Sequence, residues 1–227
     1  MTFQIIRNVI AVAVFFCAQQ VSAAIVYGDN AGNNHPTASV VINQVGAADD
    51  FNFTGPTLVT GVTMWVTSFG DAAELQARLN AQTYNLDYIF LGDAGGLPSF
   101  GLFETAGNAQ NLNAVLTSAV YLPGILDLPV LEVTYELMSP WLFDAGTYWL
   151  LSSSSESLQD SPDFTWLGHS VVGNFSVLDD TGSRTFVPQD FDLAFQLLGP
   201  EESQVPLPSV AFLLLLGLLL LRLIRAN

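Results

Sequence analysis

Several stretches in the middle of the chain alternate apolar and polar residues with a period of two. That spacing puts one apolar face on an extended strand and is incompatible with a helical stripe. In "TYNLDYIFL", Tyr84, Leu86, Tyr88 and Phe90 share one face while Asn85 and Asp87 take the other. "LEVTYEL" sends Leu131, Val133, Tyr135 and Leu137 one way and Glu132, Thr134 and Glu136 the other. "FDLAFQL" groups Phe191, Leu193, Phe195 and Leu197, and "TLVTGVTMWV" and "GTYWLLS" add β-branched and aromatic runs. Turn chemistry separates these strands in "FTGP", "GDAGGLP", "DAGT" and "DDTG". Only "DAAELQARLN", with Leu75 and Leu79 four apart, has a helical spacing. The pattern predicts an all-β domain over 24–200, an antiparallel β-sandwich or jelly roll.

Composition narrows the function. Half of the 227 residues are hydrophobic and only 11% are charged, which excludes a disordered acidic tail. All 21 acids lie between Asp29 and Glu202, where Arg78 and Arg184 are the only bases. So negative a body repels phosphate backbones, and nucleic acid is excluded as a partner. The one cysteine, Cys17, lies in the N-terminal stretch, so disulfides and a thiolate nucleophile are not expected in the body.

Catalytic spacing is absent from the sequence. His35 and His169 are far apart, no Gly-x-Ser-x-Gly elbow occurs, and no His-x-x-x-His pair offers a zinc site. With so many acids, no pair stands out as a glycosidase acid and nucleophile, and a hydrolase remains only the third reading. Hard cations take several oxygen ligands, so Asp179, Asp180, Asp190 and Asp192 are candidate ligands of a structural calcium ion; solvated turn acids are the plainer reading. Trp65 and Trp149 sit in apolar strands and read as core. Trp141 and Trp166 lie near turns and are expected to reach solvent, where they would serve as stacking platforms in a carbohydrate-binding module.

The two ends speak to location. Arg7, an apolar stretch from Val9 to Ala18, and Val21-Ser22-Ala23 read as a secretory signal peptide over 1–23, cut after Ala23 or at Ala24. Residues 210–227 give an apolar helix with Arg222 and Arg225 at its end, a membrane span with its basic stub facing the cytoplasm. Between them, 201–209 carries Val205, Pro206, Leu207 and Pro208, an extended segment that cannot join a regular helix.

This order of Val-Pro-x-Pro, apolar helix and terminal arginines resembles the PEP-CTERM sorting signal, with Leu207 where that family's pattern has Glu. "ADDFNFTGPTLVTGVTMWV", "GDAGGLPSFGLFE", "FDAGTYWLLS" and "DFDLAFQLLG" are similar to the extracellular β-sandwich module of such proteins. The resemblance implies a non-enzymatic surface or exopolysaccharide-matrix protein of a Gram-negative bacterium. Its partners would be the secretion translocon, signal peptidase and an exosortase-type membrane transpeptidase. A retained single-span anchor is the alternative, because hydrophobicity alone does not separate the two.

Overall fold

The computed structural model describes residues 23–29, 38–42, 46–156, 162–170, 177–179, 186–188 and 191–200. Residues before Ala23, the Val205–Pro208 motif, the apolar helix and Arg222 and Arg225 lie outside the described residues. The described residues fall almost wholly within one compact unit, Ile25–Gly199, the first unit of the chain.

Two antiparallel sheets make up the first unit, as the alternation predicts. One sheet contains β1 (Ala24–Asp29), β2 (Ala38–Val41), β4 (Thr57–Thr67), β7 (Gln110–Tyr121), β8 (Leu128–Phe143), β10 (Thr165–Ser170), β13 (Phe191–Leu193) and β14 (Phe195–Gly199). The other runs β12 (Phe186–Pro188), β11 (Val177–Asp179), β3 (Gly46–Phe53), β9 (Gly146–Ser154), β5 (Leu86–Asp93), β6 (Pro98–Asn108) in spatial order.

The inward faces form one shared core. Tyr84, Leu86, Tyr88 and Phe90 are buried together, as are Leu131, Val133, Tyr135 and Leu137 from the facing sheet. Aromatic rings interlock across the gap: Phe51 of β3 lies 5.6 Å from Phe143 of β8 and 6.3 Å from Phe195 of β14. Burial of such large apolar side chains is the main favourable term holding the sheets face to face.

Simple alternation fails at two places, each for a structural reason. In β4 the inward set shifts from Val59 to Val62, Met64 and Val66, where the register with β8 slips between Val59 and Gly61 and Thr60 alone faces the four residues 137–140 of β8. Gly61 is required there: a Cβ would sit 2.7 Å from the Tyr135 carbonyl oxygen. The expected continuous strand over 191–197 is instead broken at Ala194, whose N–H donates to the Leu167 carbonyl while its own carbonyl accepts from Trp65 N–H. The chain thereby passes from pairing with β10 to pairing with β4.

Burial is not confined to the inner faces. Trp149 belongs to a smaller outer cluster with Ala48, Leu91 and Leu151, and its Nε1 donates to Asp93 Oδ1 at 2.9 Å. Trp65 packs outward with Tyr121, Val130, Leu167 and Ala194. These outer clusters explain why "WLL" and "MWV" read as continuous apolar runs.

The helix α1 (Ala72–Asn80) starts where the spacing predicts, with Asp71 Oδ1 accepting from Glu74 N–H and with Leu75 and Leu79 buried. α1 and the turn after it also close part of an exposed sheet edge. Asn80 accepts from Ala114 N–H (2.7 Å) and donates to the Ala114 carbonyl (3.1 Å). Gln82 does the same to Leu112, at 2.8 and 2.6 Å. A carboxamide has the donor and acceptor of a peptide group, so these two side chains stand in for a neighbouring strand along β7.

Candidate functional site

At one end of the two-sheet unit, β6 leaves its sheet at Asn108 and passes through Ala109 straight into β7 of the other sheet. The Ala109 N–H donates to the Leu86 carbonyl, which ties the crossover to the start of β5. A cleft of about 330 Å³ opens beside it. Its rim carries the carboxamides of Gln82, Asn85, Asn108, Gln110 and Asn111, and Tyr84 is buried at its base. None of the residues lining it carries a charge.

Carboxylates stand just behind this rim and orient it. Asn108 Nδ2 donates to Asp87 Oδ1 and Asn111 Nδ2 to Glu136 Oε2, each at 2.5 Å. A carboxylate only accepts, so each contact fixes which end of the carboxamide is nitrogen. Burial pushes the Asp87 carboxyl up from its ordinary range, and the Asn108 bond partly offsets that. Behind Tyr84, Arg78 and Glu156 pair at 2.9 Å; the guanidinium also lies over the Tyr84 ring and donates to the Thr83 carbonyl. Glu156 accepts from the Asn85 N–H as well, so the turn preceding β5 is held from both sides.

Gln82 and Asn111 adopt left-handed backbone conformations, with φ of 57° and 51°. For Gln82 this is a costly conformation that its hydrogen bonds to Leu79 and Leu112 offset. For Asn111 it coincides with the register shift between Gln110 and Asn113 at the start of β7.

The tryptophans singled out in the sequence lie elsewhere. Trp166 is not a solvent platform: it is fully buried, its Nε1 donates to the Ala194 carbonyl at 2.9 Å, and its ring packs edge-on against Phe195. Flanking "LGH" signals a loop only if the glycine ends a strand. Gly168 is instead inside β10, where a Cβ would collide with the Asp192 carbonyl oxygen. Trp141 is half-buried against Phe103 on a different strand, and it reaches solvent only in part.

The acids considered for calcium separate similarly. Asp180 and Asp190 lie outside the described residues. Asp179 on β11 stands opposite Gly46, whereas Asp192 is buried beside Asp49, three positions further along β3. Alternation places Asp192 on a solvent face; the structure buries it because β13 crosses under β3. Burial pushes the Asp49 carboxyl well up, the nearby Asp192 adds to this, and Asp49 accepts from Leu193 N–H. Among the described residues no group of three or more His, Cys, Asp or Glu side chains is placed to hold a metal ion.

The sequence marks the cleft only faintly. Its one visible signal is the carboxamide density of "NAQNLN" at 108–113, which interrupts strict alternation.

No protein-family model matches the chain, and no curated protein matches it. Among solved structures, one match is the cysteine protease and lectin-like domains of Cwp84, a surface layer associated protein of Clostridium difficile. The identity is 10% and the TM-score 0.36, over 69% of this chain and 32% of that one. This chain therefore spans about a third of that structure's length.

Proposed function

We propose that the chain is an exported, non-enzymatic surface or matrix protein, a β-sandwich carried across the inner membrane by its leader. The apolar C-terminal segment would then sort it by way of Val205–Pro208. One observation carries the reading: the compact unit runs from Ile25 to Gly199, inside the limits set by the leader exit at Ala23 and the linker from 201. Its first and last strands, β1 and β14, are also neighbours, with Val26 beside Gly199 and Gly28 beside Gln196. They run in opposite directions, so the two ends of the folded unit emerge together. Such a domain tolerates removal of both flanking segments without losing a strand.

Cell fractionation with mass spectrometry of the mature termini tests this. The expected product starts at Ala24 or Ile25 and ends within or just before 205–208, in the envelope or medium. A full-length chain in the cytosol overturns the proposal. An exported chain that keeps residues 210–227 selects the permanently anchored form instead.

A further inference from the structure

Among the described residues, the carboxamide cleft at the β6–β7 crossover has a volume and a polar rim suited to a small ligand. Its volume of about 330 Å³ lies at the lower end of the range typical of small-molecule sites, roughly 300–1,000 Å³. That is room for one or two rings rather than a large cofactor. Five exposed carboxamides surround a base formed by the buried Tyr84, Leu86 and Leu112.

Three features make the rim rigid rather than merely polar. Gln82 is locked on both sides of Leu112. Asn108 and Asn111 are each anchored through one amide hydrogen to a carboxylate, which leaves a carbonyl acceptor and a second N–H on each side chain. Asn111 is further set by its left-handed backbone at a strand bulge. Fixed donors and acceptors in alternation, without a charge among them, match a ligand that both donates and accepts at neighbouring atoms. Vicinal hydroxyls do this. Anions find no cation in the lining, and the surrounding acidic body repels them.

We infer that this cleft binds a neutral hexopyranose unit of a polysaccharide, with Asn108 and Asn111 as its principal hydrogen-bonding residues. The inference rests on the reading of an exported matrix protein, since polysaccharide is what such a protein meets, and it moves the contact away from Trp141 and Trp166.

The test is ¹⁵N NMR titration of the full-length chain in detergent micelles with cellohexaose, maltohexaose and an oligogalacturonate of equal length. Shifts in the side-chain amides of Asn108 and Asn111 with at least one neutral oligosaccharide are expected, and weaker or no shifts with the uronate. Asn111→Gly keeps the backbone conformation that glycine favours, and Asn108→Ala removes an exposed side chain. Each should weaken binding about tenfold, the loss of roughly one to two hydrogen bonds, with amide spectra otherwise unchanged. Binding of the uronate alone, no binding across the panel, or neutral-sugar binding unaffected by both variants overturns the inference. Loss in Trp141→Ala with retention in both asparagine variants also overturns it. Fractionation is independent of these titrations, so a failure of the export reading and a failure of sugar binding are told apart.

Discussion

Replacing Trp166 with alanine separates two roles for a residue that the sequence alone made a surface candidate. The indole is fully buried between the sheets, against Phe195, and donates one hydrogen bond to the Ala194 carbonyl. Truncating a buried tryptophan costs about 3–5 kcal/mol through lost transfer energy and the cavity left behind. The Ala194 carbonyl still accepts from Trp65 N–H at 3.3 Å, so the lost indole bond adds no more than about 1 kcal/mol. For a domain of this size each kcal/mol moves the melting temperature by roughly 2–4 °C. A fall of about 6–24 °C is therefore expected in thermal denaturation followed by circular dichroism. Trp166→Phe retains most of the ring and should cost only about 1–2 kcal/mol, or roughly 2–8 °C. If Trp166→Ala lowers the midpoint by less than about 3 °C, the indole is at the surface and the placement of β10 between β4 and β13 is wrong.

Three other perturbations probe the fold. Asn80→Ala together with Gln82→Ala removes the surrogate strand along β7; a loss of about 2–4 kcal/mol and concentration-dependent self-association are expected by urea titration and light scattering, and a monomer of unchanged stability refutes the edge-capping role. Burial alone would raise the Asp163 carboxyl, but bonds from Phe69 N–H, Thr165, Ser68 and Gly70 N–H outweigh it and hold it below its ordinary range. Its stabilisation is present above the unfolded carboxyl value of about 3.9 and is lost as pH falls through the lower folded value, so Asp163→Asn should destabilise at pH 7 and converge on the parent protein in acid. Asp49 works in the opposite sense, since its folded value is raised: its contribution is fullest below about pH 3.9 and is lost as pH rises through the folded value. The stability of Asp49→Asn relative to the parent should therefore improve between acid and neutral pH, and a constant difference across that range would refute the burial of Asp49 beside Asp192.

The all-β architecture was legible because period two is a local property. Alternate residues from Leu131 to Leu137 and from Tyr84 to Phe90 face inward as their spacing requires, and helix α1 begins at Ala72, just after its cap residue Asp71. Those features depend on neighbours within a few residues, which the sequence displays directly. The acidic charge of the body is likewise a property of the sequence by itself.

Tertiary structure decided what lies across the chain. Trp166 and Asp192 sit on strands whose outer neighbours come from distant segments, and only those crossings bury them. The phase of β4 shifts where its register with β8 slips beside Gly61, a position that the Tyr135 carbonyl, 74 residues away, keeps free of a Cβ. The cleft needs α1's following turn, the start of β5 and the β6–β7 crossover to converge, and no segment of sequence contains all three. Alternation tells a residue which side of its own strand it occupies; whether that side meets water, a second sheet or a ligand depends on surfaces contributed from elsewhere in the fold.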